Sequence, residues 1–544
     1  MATSGFRAPP GWRFERAEGQ LARAHSSGSA RDRQVMKLTW PRRWRDAIAP
    51  GTDRRSELDD LVRQALGCQQ AARFEDAERF LYRALALEPG SAEIHLLLGD
   101  LYRLSGRLDR ALHCCLEAVR LAPDMAQAHN NLGNAYRDLG ESEQAVTQHR
   151  KALALDERLP EAHFNLGLGL QIQGAAEGAM LCYRQALVLR PDFALAHLNM
   201  GYLLEENGDA AGSLAAYRGA VESDPALVEA HVNYGMQLLL AGRFAEGWEE
   251  YEWRLRYPEY SGADVAARAP RWDGGELGGR TILLDAEQGF GDALQFLRYA
   301  PLVAARGGRV LVRCAPELAT LAAGTVGVAA VVRRGEALPQ FDAWCPLPSL
   351  PRAFGTSLAS VPAEVPYVHA DAGKTARWRV RLAGADGECR VGLVWASQSA
   401  HRTAPAKSVS LQALAGLGAV PGVRLYSLQL GAAVRDAQPG SEGMRLVDLG
   451  GEFFDFADTA AAVANMDLVI SVDTAVAHLA GAMGRPVWTL LKFAPDWRWL
   501  LGREDSPWYP TMRLFRQESP DDWRQPVARV QESLRALVAG RTPA

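Results

Sequence analysis

The segment Asn131-Leu-Gly-Asn-Ala-Tyr-Arg-Asp-Leu-Gly140 decides the fold of the first half of the chain, because its spacing recurs. Three of its residues recur: Asn131, Gly133 and Gly140. The same residue types occupy the same places in residues 165–174, 199–208 and 233–242. Each copy is shifted by 34 residues from the one before. A fixed period of this length predicts a stack of helix pairs, in which small residues let helices approach closely and the second glycine forms the turn.

This period resembles the tetratricopeptide repeat, whose unit of 34 residues is a helix pair. We expect five full repeats and a degenerate sixth, which together form a solenoid over residues 58–256, with Trp248 and Trp253 capping its end against the next domain. A histidine column keeps the same period, at His95, His129, His163, His197 and His231. Because each histidine lies four residues before a glycine of the repeat, we expect it to pack between helices rather than to bind metal.

The composition is that of an ordinary globular protein. The chain has 544 residues, a net charge of −4 and a pI of about 6.3, which argues against a nucleic-acid-binding protein. No apolar run approaches the roughly 20 residues of a membrane span, and residues 1–10 lack the apolar core of a secretory signal. The seven cysteines form no Cys-x-x-Cys pair and are expected to be reduced thiols, which predicts a cytoplasmic location.

The rest of the sequence divides by composition. Residues 1–57 hold twelve Lys or Arg and six Asp or Glu, and we expect a flexible basic N-terminal arm, with contact to an anionic surface or an overlong gene start as alternatives. Residues 257–279 are expected to be a connector. Beyond it, short apolar runs alternate with amphipathic stretches, which predicts two Rossmann-like α/β domains facing each other across a cleft.

The first of these domains is expected at residues 280–387, including a hinge, and the second at residues 388–544, including a C-terminal helix. Predicted strands lie at residues 281–286, 309–313, 390–395, 423–428, 468–472 and 486–491. Predicted helices lie at residues 292–305 and 477–483. Ligands of such domains bind at the carboxyl ends of the strands, so the residues that follow each strand are the candidates for a functional site.

Acidic and hydroxyl side chains follow two of these strands. Asp292 begins the helix after the first strand, where it is expected to act as a catalytic base facing the cleft or as the N-cap of the helix. Asp473 and Thr474 begin the helix that follows residues 468–472. The backbone N–H groups at the start of this helix can bind a diphosphate. His478 lies one turn further along and either contacts the donor or packs as a hydrogen-bonded helix residue.

Basic side chains follow two strands of the second domain. Lys407, together with His401 and Arg402, follows residues 390–395, and Lys492 follows residues 486–491. Cations at strand ends can neutralise phosphate charge, although exposed loop charges would give the same pattern. The sequence has no Asp-x-Asp or His-Glu-x-x-His spacing, so we expect neither a metal site nor a bound cofactor.

Residues 280–538 resemble the GT-B glycosyltransferases, and most of all the ADP-heptose lipopolysaccharide heptosyltransferases of glycosyltransferase family 9. The matching stretches are Gly291-Asp292 and Asp473-Thr474…His478. The resemblance implies that Asp292 takes the proton of an acceptor hydroxyl. It also implies that the helix start at Asp473 and Thr474 binds the diphosphate of the donor and that Lys407 contacts phosphate. The family usually has glycine after Asp-Thr, whereas this chain has Ala475, whose methyl group would crowd a phosphate.

The layout of repeats followed by a GT-B module is similar to that of protein O-GlcNAc transferases. An asparagine column supports the comparison, at Asn131, Asn165, Asn199 and Asn233. In those enzymes such a ladder holds an extended polypeptide, and an amide offers both a donor and an acceptor to any peptide. The resemblance therefore implies a protein or peptide acceptor bound by these four residues. Hydrogen bonding between repeats is the alternative.

Two functions remain open at this point. In the first, the chain is a metal-independent GT-B glycosyltransferase that moves a sugar from a nucleotide-diphosphate co-substrate to the hydroxyl of a polypeptide presented by the repeats. In the second, the repeats are a scaffold for protein interaction and the GT-B half is catalytically degenerate, which Ala475 favours. Thermal stabilisation by nucleotide sugars would separate the two, because a ligand that binds the folded state raises the unfolding midpoint.

Overall fold

The computed structural model describes residues 52–257, 263–383, 387–397, 407–431 and 446–540. Its first part is helical, and the described residues there form twelve helices. The helices are α1 (Thr52–Gln70), α2 (Phe74–Leu87), α3 (Ala92–Leu104), α4 (Leu108–Leu121), α5 (Ala126–Asp138), α6 (Ser142–Leu155), α7 (Pro160–Ile172), α8 (Ala176–Leu189), α9 (Ala194–Glu206), α10 (Ala210–Ser223), α11 (Val228–Leu240) and α12 (Phe244–Tyr251). The first helix begins inside the predicted basic arm, whose residues 1–51 lie outside the described part.

The two glycine columns have the roles that the period predicts. The turn glycines adopt positive φ, with +74° at Gly208 and +77° at Gly242, a conformation that favours glycine. The first column permits close helix approach, because a Cβ on Gly133 would lie 2.5 Å from the His149 ring and one on Gly167 would lie 2.6 Å from the Tyr183 ring. The repeat sequence therefore encodes both the turns and the packing of each helix pair.

The histidine column packs between repeats, as predicted. In four of its members the ring bonds through Nε2 to the carbonyl of the residue six positions earlier, where the preceding repeat ends. The Nε2-to-O distances are 3.0 Å for His129, 2.9 Å for His163, 2.9 Å for His197 and 3.1 Å for His231. The column therefore joins successive repeats.

Contacts divide the chain into two compact units between Leu203 and Leu204. The second unit contains the end of α9, helices α10–α12 and everything that follows. Within it, Trp248 donates from Nε1 to the carbonyl of Thr356 at 2.9 Å, while Trp253 stacks on His231 with ring centroids 3.6 Å apart. The predicted cap is thus formed by Trp248, and Trp253 packs against the final repeat itself.

The first α/β lobe has a parallel sheet of four strands in the order β3-β2-β1-β4. The strands are β1 (Thr281–Asp285), β2 (Arg309–Cys314), β3 (Val328–Arg333) and β4 (Ala343–Pro346). The helices are α13 (Ala263–Ala266), α14 (Phe290–Phe296), α15 (Ala300–Ala305), α16 (Ala319–Ala323) and α17 (Leu350–Ala353). The single helix predicted at residues 292–305 is wrong: α14 ends before a short 3₁₀ turn, and Pro301 opens the first turn of α15, where its missing N–H is tolerated.

The second lobe has a parallel sheet of six strands in the order β10-β9-β8-β5-β6-β7. The strands are β5 (Cys389–Val394), β6 (Val423–Ser427), β7 (Leu446–Asp448), β8 (Leu468–Val472), β9 (Val487–Leu491) and β10 (Met512–Arg516). The helices are α18 (Ala372–Arg381), α19 (Phe456–Val463), α20 (Ala475–Ala482) and α21 (Arg524–Ala539).

The order of strands reverses direction between β5 and β8, which is the point where ligands of open α/β sheets bind. Every residue of β8 is buried, as expected of a central parallel strand covered on both faces. The predicted fold class, a helical solenoid followed by Rossmann-like α/β structure with parallel sheets, is confirmed.

Candidate functional site

Asp292 lies in the first turn of α14, and its carboxylate points toward the second lobe. The N-cap of this helix is Gly289, which has no side chain to accept a bond, so Asp292 is not the cap. Its carboxylate instead forms an ion pair with the guanidinium of Arg498. The side chain of Asp292 retains 22% exposure. The aspartate therefore faces the boundary between the lobes.

Arg498 is the central cation of this boundary, and sequence reasoning missed it. Besides Asp292, its Nη1 lies 2.7 Å from Oδ1 of Asp496, and its Nε donates to Oε1 of Gln295 at 2.8 Å. The only signal in the sequence was its position in the Asp496-Trp-Arg498 run shortly after β9, at the carboxyl end of a strand. The pairing to Asp292 joins residues 206 positions apart.

Burial and charge oppose each other in this cluster. Burial raises the pKa of Asp292, and the nearby Arg498 only partly offsets that effect. For Asp496 burial acts in the same direction, but Arg498 and Lys407 outweigh it and its pKa is lowered. A general base works best when its pKa is closer to the working pH than that of a free carboxylate. Asp292 is shifted in that direction.

Lys407 and Asp473 lie on either side of the point where the strand order reverses. Lys407 follows β5 and Asp473 follows β8, and Nζ lies 2.6 Å from Oδ2. Both side chains are mostly buried, with 21% and 11% exposure. Burial disfavours the charge of Lys407, but Asp473 and Asp496 outweigh it and raise its pKa. The structure thus brings together two predicted residues 66 positions apart.

The start of α20 leaves its first backbone N–H groups without a side-chain cap. Thr474 is the N-cap residue, but its hydroxyl pairs with that of Ser471 at 2.9 Å and makes no capping bond. Ala475, the residue at which the resemblance expects glycine, is half-buried and packs on the apolar core. The helix start keeps the dipole orientation that favours an anion.

His478 packs inside the boundary, which is the alternative to donor contact. Its Nδ1 is 2.9 Å from the hydroxyl of Tyr509, and its ring stacks on Trp499 with centroids 5.2 Å apart. Burial lowers the pKa of His478 to about 3, so the imidazole is neutral. A Cβ on Gly291 would lie 2.9 Å from its Cδ2, so α14 and α20 touch here. The predicted cleft is closed at this point, because Arg498 and His478 fill it.

Lys492 follows β9 and is half-buried. Burial lowers its pKa, while the nearby Glu205 of α9 acts in the opposite direction. The next residue, Phe493, donates its backbone N–H to Gln517 at 2.9 Å, and its ring lies against Gly208. Lys492 is thus close to Lys407 and Asp473, whose charges also act on it. His401 and Arg402 lie outside the described residues.

The asparagine column is largely engaged within the repeats. Asn131 donates to Asp100 at 3.2 Å, and Asn165 donates to Asn130 at 3.0 Å, each in the preceding repeat. For these two the structure favours hydrogen bonding between repeats over a surface offered to a peptide. Asn199 donates to the carbonyl of Leu195 in its own helix at 2.8 Å and is less buried. The fourth member, Asn233, is 7% exposed.

The described ranges contain neither a cluster suited to a metal ion nor a helix suited to a bilayer. No group of three or more His, Cys, Asp or Glu side chains there is arranged to hold a metal ion. In the same part of the chain, no helix combines the length and apolar character that a bilayer crossing requires.

Comparison with known proteins gives matches in both halves. Residues 133–174 and 170–208 match the family described as TPR repeat, residues 69–129 and 198–252 match families described as tetratricopeptide repeat, and residues 432–501 match glycosyltransferase family 9 (heptosyltransferase). Protein FlbA of Caulobacter vibrioides is 28% identical over 329 residues, which are 56% of this chain and 54% of FlbA. The chain therefore spans about half the length of this curated relative.

Among solved structures, similar chains cover between a third and two fifths of this chain. PilF of Pseudomonas aeruginosa is 20% identical with a TM-score of 0.34, over 38% of this chain and 94% of PilF. A thermophilic TPR protein of Thermus thermophilus is 24% identical with a TM-score of 0.31, over 34% of this chain and 99% of that protein. The family matches suggest protein interaction for the repeats and glycosyl transfer for the segment around residues 432–501. The chain thus carries tetratricopeptide repeats, followed by a segment, residues 432–501, that is similar to glycosyltransferase family 9 (heptosyltransferase).

Proposed function

We propose that the chain is a metal-independent GT-B glycosyltransferase that moves a sugar from a nucleotide-diphosphate donor to an acceptor hydroxyl. The observation that carries the proposal is the convergence of two helix starts. Asp292 in the first turn of α14 and Asp473 just before α20 come from different lobes, and Arg498 and Lys407 lie beside them as counter-charges. The family 9 match over residues 432–501 supports a sugar donor in the second lobe.

The donor diphosphate would bind at the start of α20. Its backbone N–H groups are free of a side-chain cap, and Lys407 and Lys492 supply positive charge close by. Cations and a helix N-terminus can together stabilise the diphosphate that departs when the anomeric bond breaks. This set of groups offsets phosphate charge with side chains of the protein, which supports the metal-independent assignment.

Arg498 would change partners when the donor binds. It now holds the carboxylate of Asp292, and a phosphate is an equally good bidentate partner for a guanidinium. Transfer of Arg498 to the donor would leave Asp292 without its strongest counter-charge, so that the raised pKa caused by burial takes full effect. Asp292 would then accept the proton of the acceptor hydroxyl as the new glycosidic bond forms.

The acceptor would be a protein or peptide presented by the repeats. Tetratricopeptide repeats serve protein interaction, which supports a polypeptide over a small molecule. Asn199 would contribute to acceptor binding, because it is half-buried and its amide donates within its own helix. Asn131 and Asn165 would have to exchange existing partners to contribute.

The second candidate is a protein-interaction scaffold with a degenerate transferase half. Ala475 favours it, because a methyl group stands where the resemblance expects glycine next to the diphosphate. Arg498 favours it as well, because it occupies the space in front of Asp292. In this case the charged cluster would serve only to hold the two lobes together.

Thermal unfolding with a panel of ADP-, GDP-, UDP- and CDP-sugars separates the two candidates. A ligand present at 100 times its Kd stabilises the folded state by about 2.7 kcal/mol, which gives a clear rise in midpoint. The transferase proposal expects a rise with at least one donor, followed by sugar transfer or donor hydrolysis. Midpoints that stay constant across the panel would favour the scaffold.

A further inference from the structure

The last helix pair contacts residues that lie next to each partner of the Asp292–Arg498 ion pair. On the side of Asp292, the contact runs through the loop between β1 and α14. The hydroxyl of Tyr251, the last residue of α12, donates to Oε1 of Gln288 at 3.1 Å and accepts from its Nε2 at 3.0 Å. Gln288 lies four positions before Asp292, so the repeat holds the segment that aims the carboxylate.

Arg254 fixes the same loop from a buried position. Its guanidinium is 1% exposed, and Nε lies 2.7 Å from Oε1 of Glu287, the residue before Gln288. Nη2 donates to Ser349 at 2.6 Å, and Nη1 lies 2.8 Å from Glu252. A guanidinium held by several directed bonds in this way allows little movement of the loop. Both side chains that precede Gly289 are therefore anchored on the repeat.

On the side of Arg498, the contact is aromatic. The ring of Trp248 lies edge-on to Trp497 with centroids 5.3 Å apart, and the ring of Tyr251 lies 6.2 Å from it. Trp497 in turn lies under the guanidinium of Arg498, whose Cζ is 4.3 Å from the ring centroid. Helix α12 thus contacts both the loop before Asp292, in the first lobe, and the Trp497 ring that packs on Arg498, in the second lobe.

We propose that Tyr251 and Arg254 are positioning residues for Asp292, and that the last helix pair is a component of the transferase site rather than only a means of presenting the acceptor. The proposal rests on the proposed function, because the role of Asp292 as the base comes from there. The residues act through Gln288 and Glu287 and touch no reacting atom themselves. Changes in the repeat are therefore expected to alter turnover without altering donor binding.

The test compares Tyr251→Phe with Tyr183→Phe in the full chain. Tyr183 is also a buried repeat tyrosine whose hydroxyl bonds a glutamine, Gln171, at 2.7 Å. The control therefore loses a similar bond within the first compact unit, whereas the loop belongs to the second. Hydrogen exchange of residues 286–296 is the first readout and needs no ligand. We expect at least tenfold faster exchange in Tyr251→Phe and wild-type exchange in the control. Equal exchange of this segment in both variants would overturn the proposal.

Kinetics with the donor that wild type turns over is the second readout. Tyr251→Phe is expected to lower kcat by about tenfold with donor KM within twofold of wild type, whereas Tyr183→Phe retains kcat. Gln288→Ala should reproduce the loss, and the double variant should be no worse than either single variant, because both changes remove one contact. A loss confined to KM, or additive losses, would contradict positioning. If wild type turns over no donor, the proposed function fails, while hydrogen exchange still decides whether the repeat fixes the loop.

Discussion

Arg498 of the second lobe holds the carboxylate of Asp292 of the first lobe in an ion pair, so one side-chain contact both joins the lobes and covers the proposed base. A carboxylate bound in this way must be released before it can accept a proton. Donor binding and activation of the base would therefore be coupled through one guanidinium, and each half of that coupling can be tested separately.

Replacement of Asp292 by Asn removes the base while keeping the shape of the side chain. We expect sugar transfer to fall by a factor of about 10²–10⁴, the usual contribution of a general base, with nucleotide binding unchanged. Asp264→Asn is the control, because Asp264 likewise pairs with an arginine but does so within the first lobe. Its Oδ2 lies 2.6 Å from Nη1 of Arg313. Transfer assays and calorimetric titration with nucleoside diphosphates measure the two effects. Wild-type turnover in Asp292→Asn would remove this residue from the mechanism.

Replacement of Lys407 by Met is expected to weaken nucleoside diphosphate binding by about 10- to 100-fold, which corresponds to the loss of one charge-assisted hydrogen bond of about 1.5–3 kcal/mol. Lys374→Met is a matched control. Its ammonium lies 2.7 Å from Oδ1 of Asp458, and its side chain is 22% exposed against 21% for Lys407. Both variants lose a similar ion pair, so their losses of stability should be similar. Equal affinities in the two variants would show that Lys407 does not contact the phosphate.

Gly208→Ala tests the contact between the repeat turn and the loop of Lys492. A Cβ at this position would lie 2.3 Å from Cε1 of Phe493. Gly242→Ala has the same positive φ but open space around the new methyl group, so it reports the backbone strain alone, about 1–2 kcal/mol. We expect Gly208→Ala to be destabilised beyond the control in chemical denaturation and to bind nucleoside diphosphates more weakly. Identical unfolding midpoints would mean that Phe493 moves aside without cost.

The buried His478 predicts a dependence of stability on pH. Its pKa is about 3 in the folded state against an ordinary value of 6.5, so between these values the unfolded state binds a proton that the folded state does not. The contribution to stability is therefore complete above pH 6.5 and is lost as the pH falls toward 3, by about 1.4 kcal/mol per pH unit.

His478→Asn should remove this contribution. Urea unfolding at about pH 6 and about pH 5 is expected to show a smaller decrease in the free energy of unfolding for the variant than for wild type, by about 1.4 kcal/mol over that unit. Asn can still accept from the hydroxyl of Tyr509 in place of Nδ1. Parallel decreases in both proteins would show that His478 is protonated in the folded state.

The repeats could be predicted from the sequence, because the residues that each turn and each close helix contact require recur at a fixed spacing. Gly208 and Gly242 lie 34 residues apart and both adopt positive φ at a turn, so the period reports the backbone directly. The α/β half has no such period. Strand β4 was missed because it has four residues, and β3 because its side chains are largely exposed and lack a buried apolar run.

The site was readable only where a single residue follows a strand. The positions of Asp292, Lys407 and Asp473 could be predicted, because ligands of such sheets bind at the carboxyl ends of the parallel strands and these residues follow strands. The pairing of Asp292 with Arg498 could not, because it joins residues 206 positions apart and depends on how two lobes pack. The same holds for Tyr251 and Gln288, which lie in parts of the chain that the sequence assigns to separate domains.

The anchoring of Gln288 on Tyr251 also determines where this protein can be recombined with others. The change in composition near residue 257 suggests a junction at that point, at which a solenoid from another protein would be fused to the α/β half. Such a chimera would lack Tyr251 and Arg254, which hold the loop before Asp292 through Gln288 and Glu287. An exchange of solenoids that preserves these contacts has to place its junction upstream of α10, near the division between Leu203 and Leu204, so that the final helices stay with the α/β half.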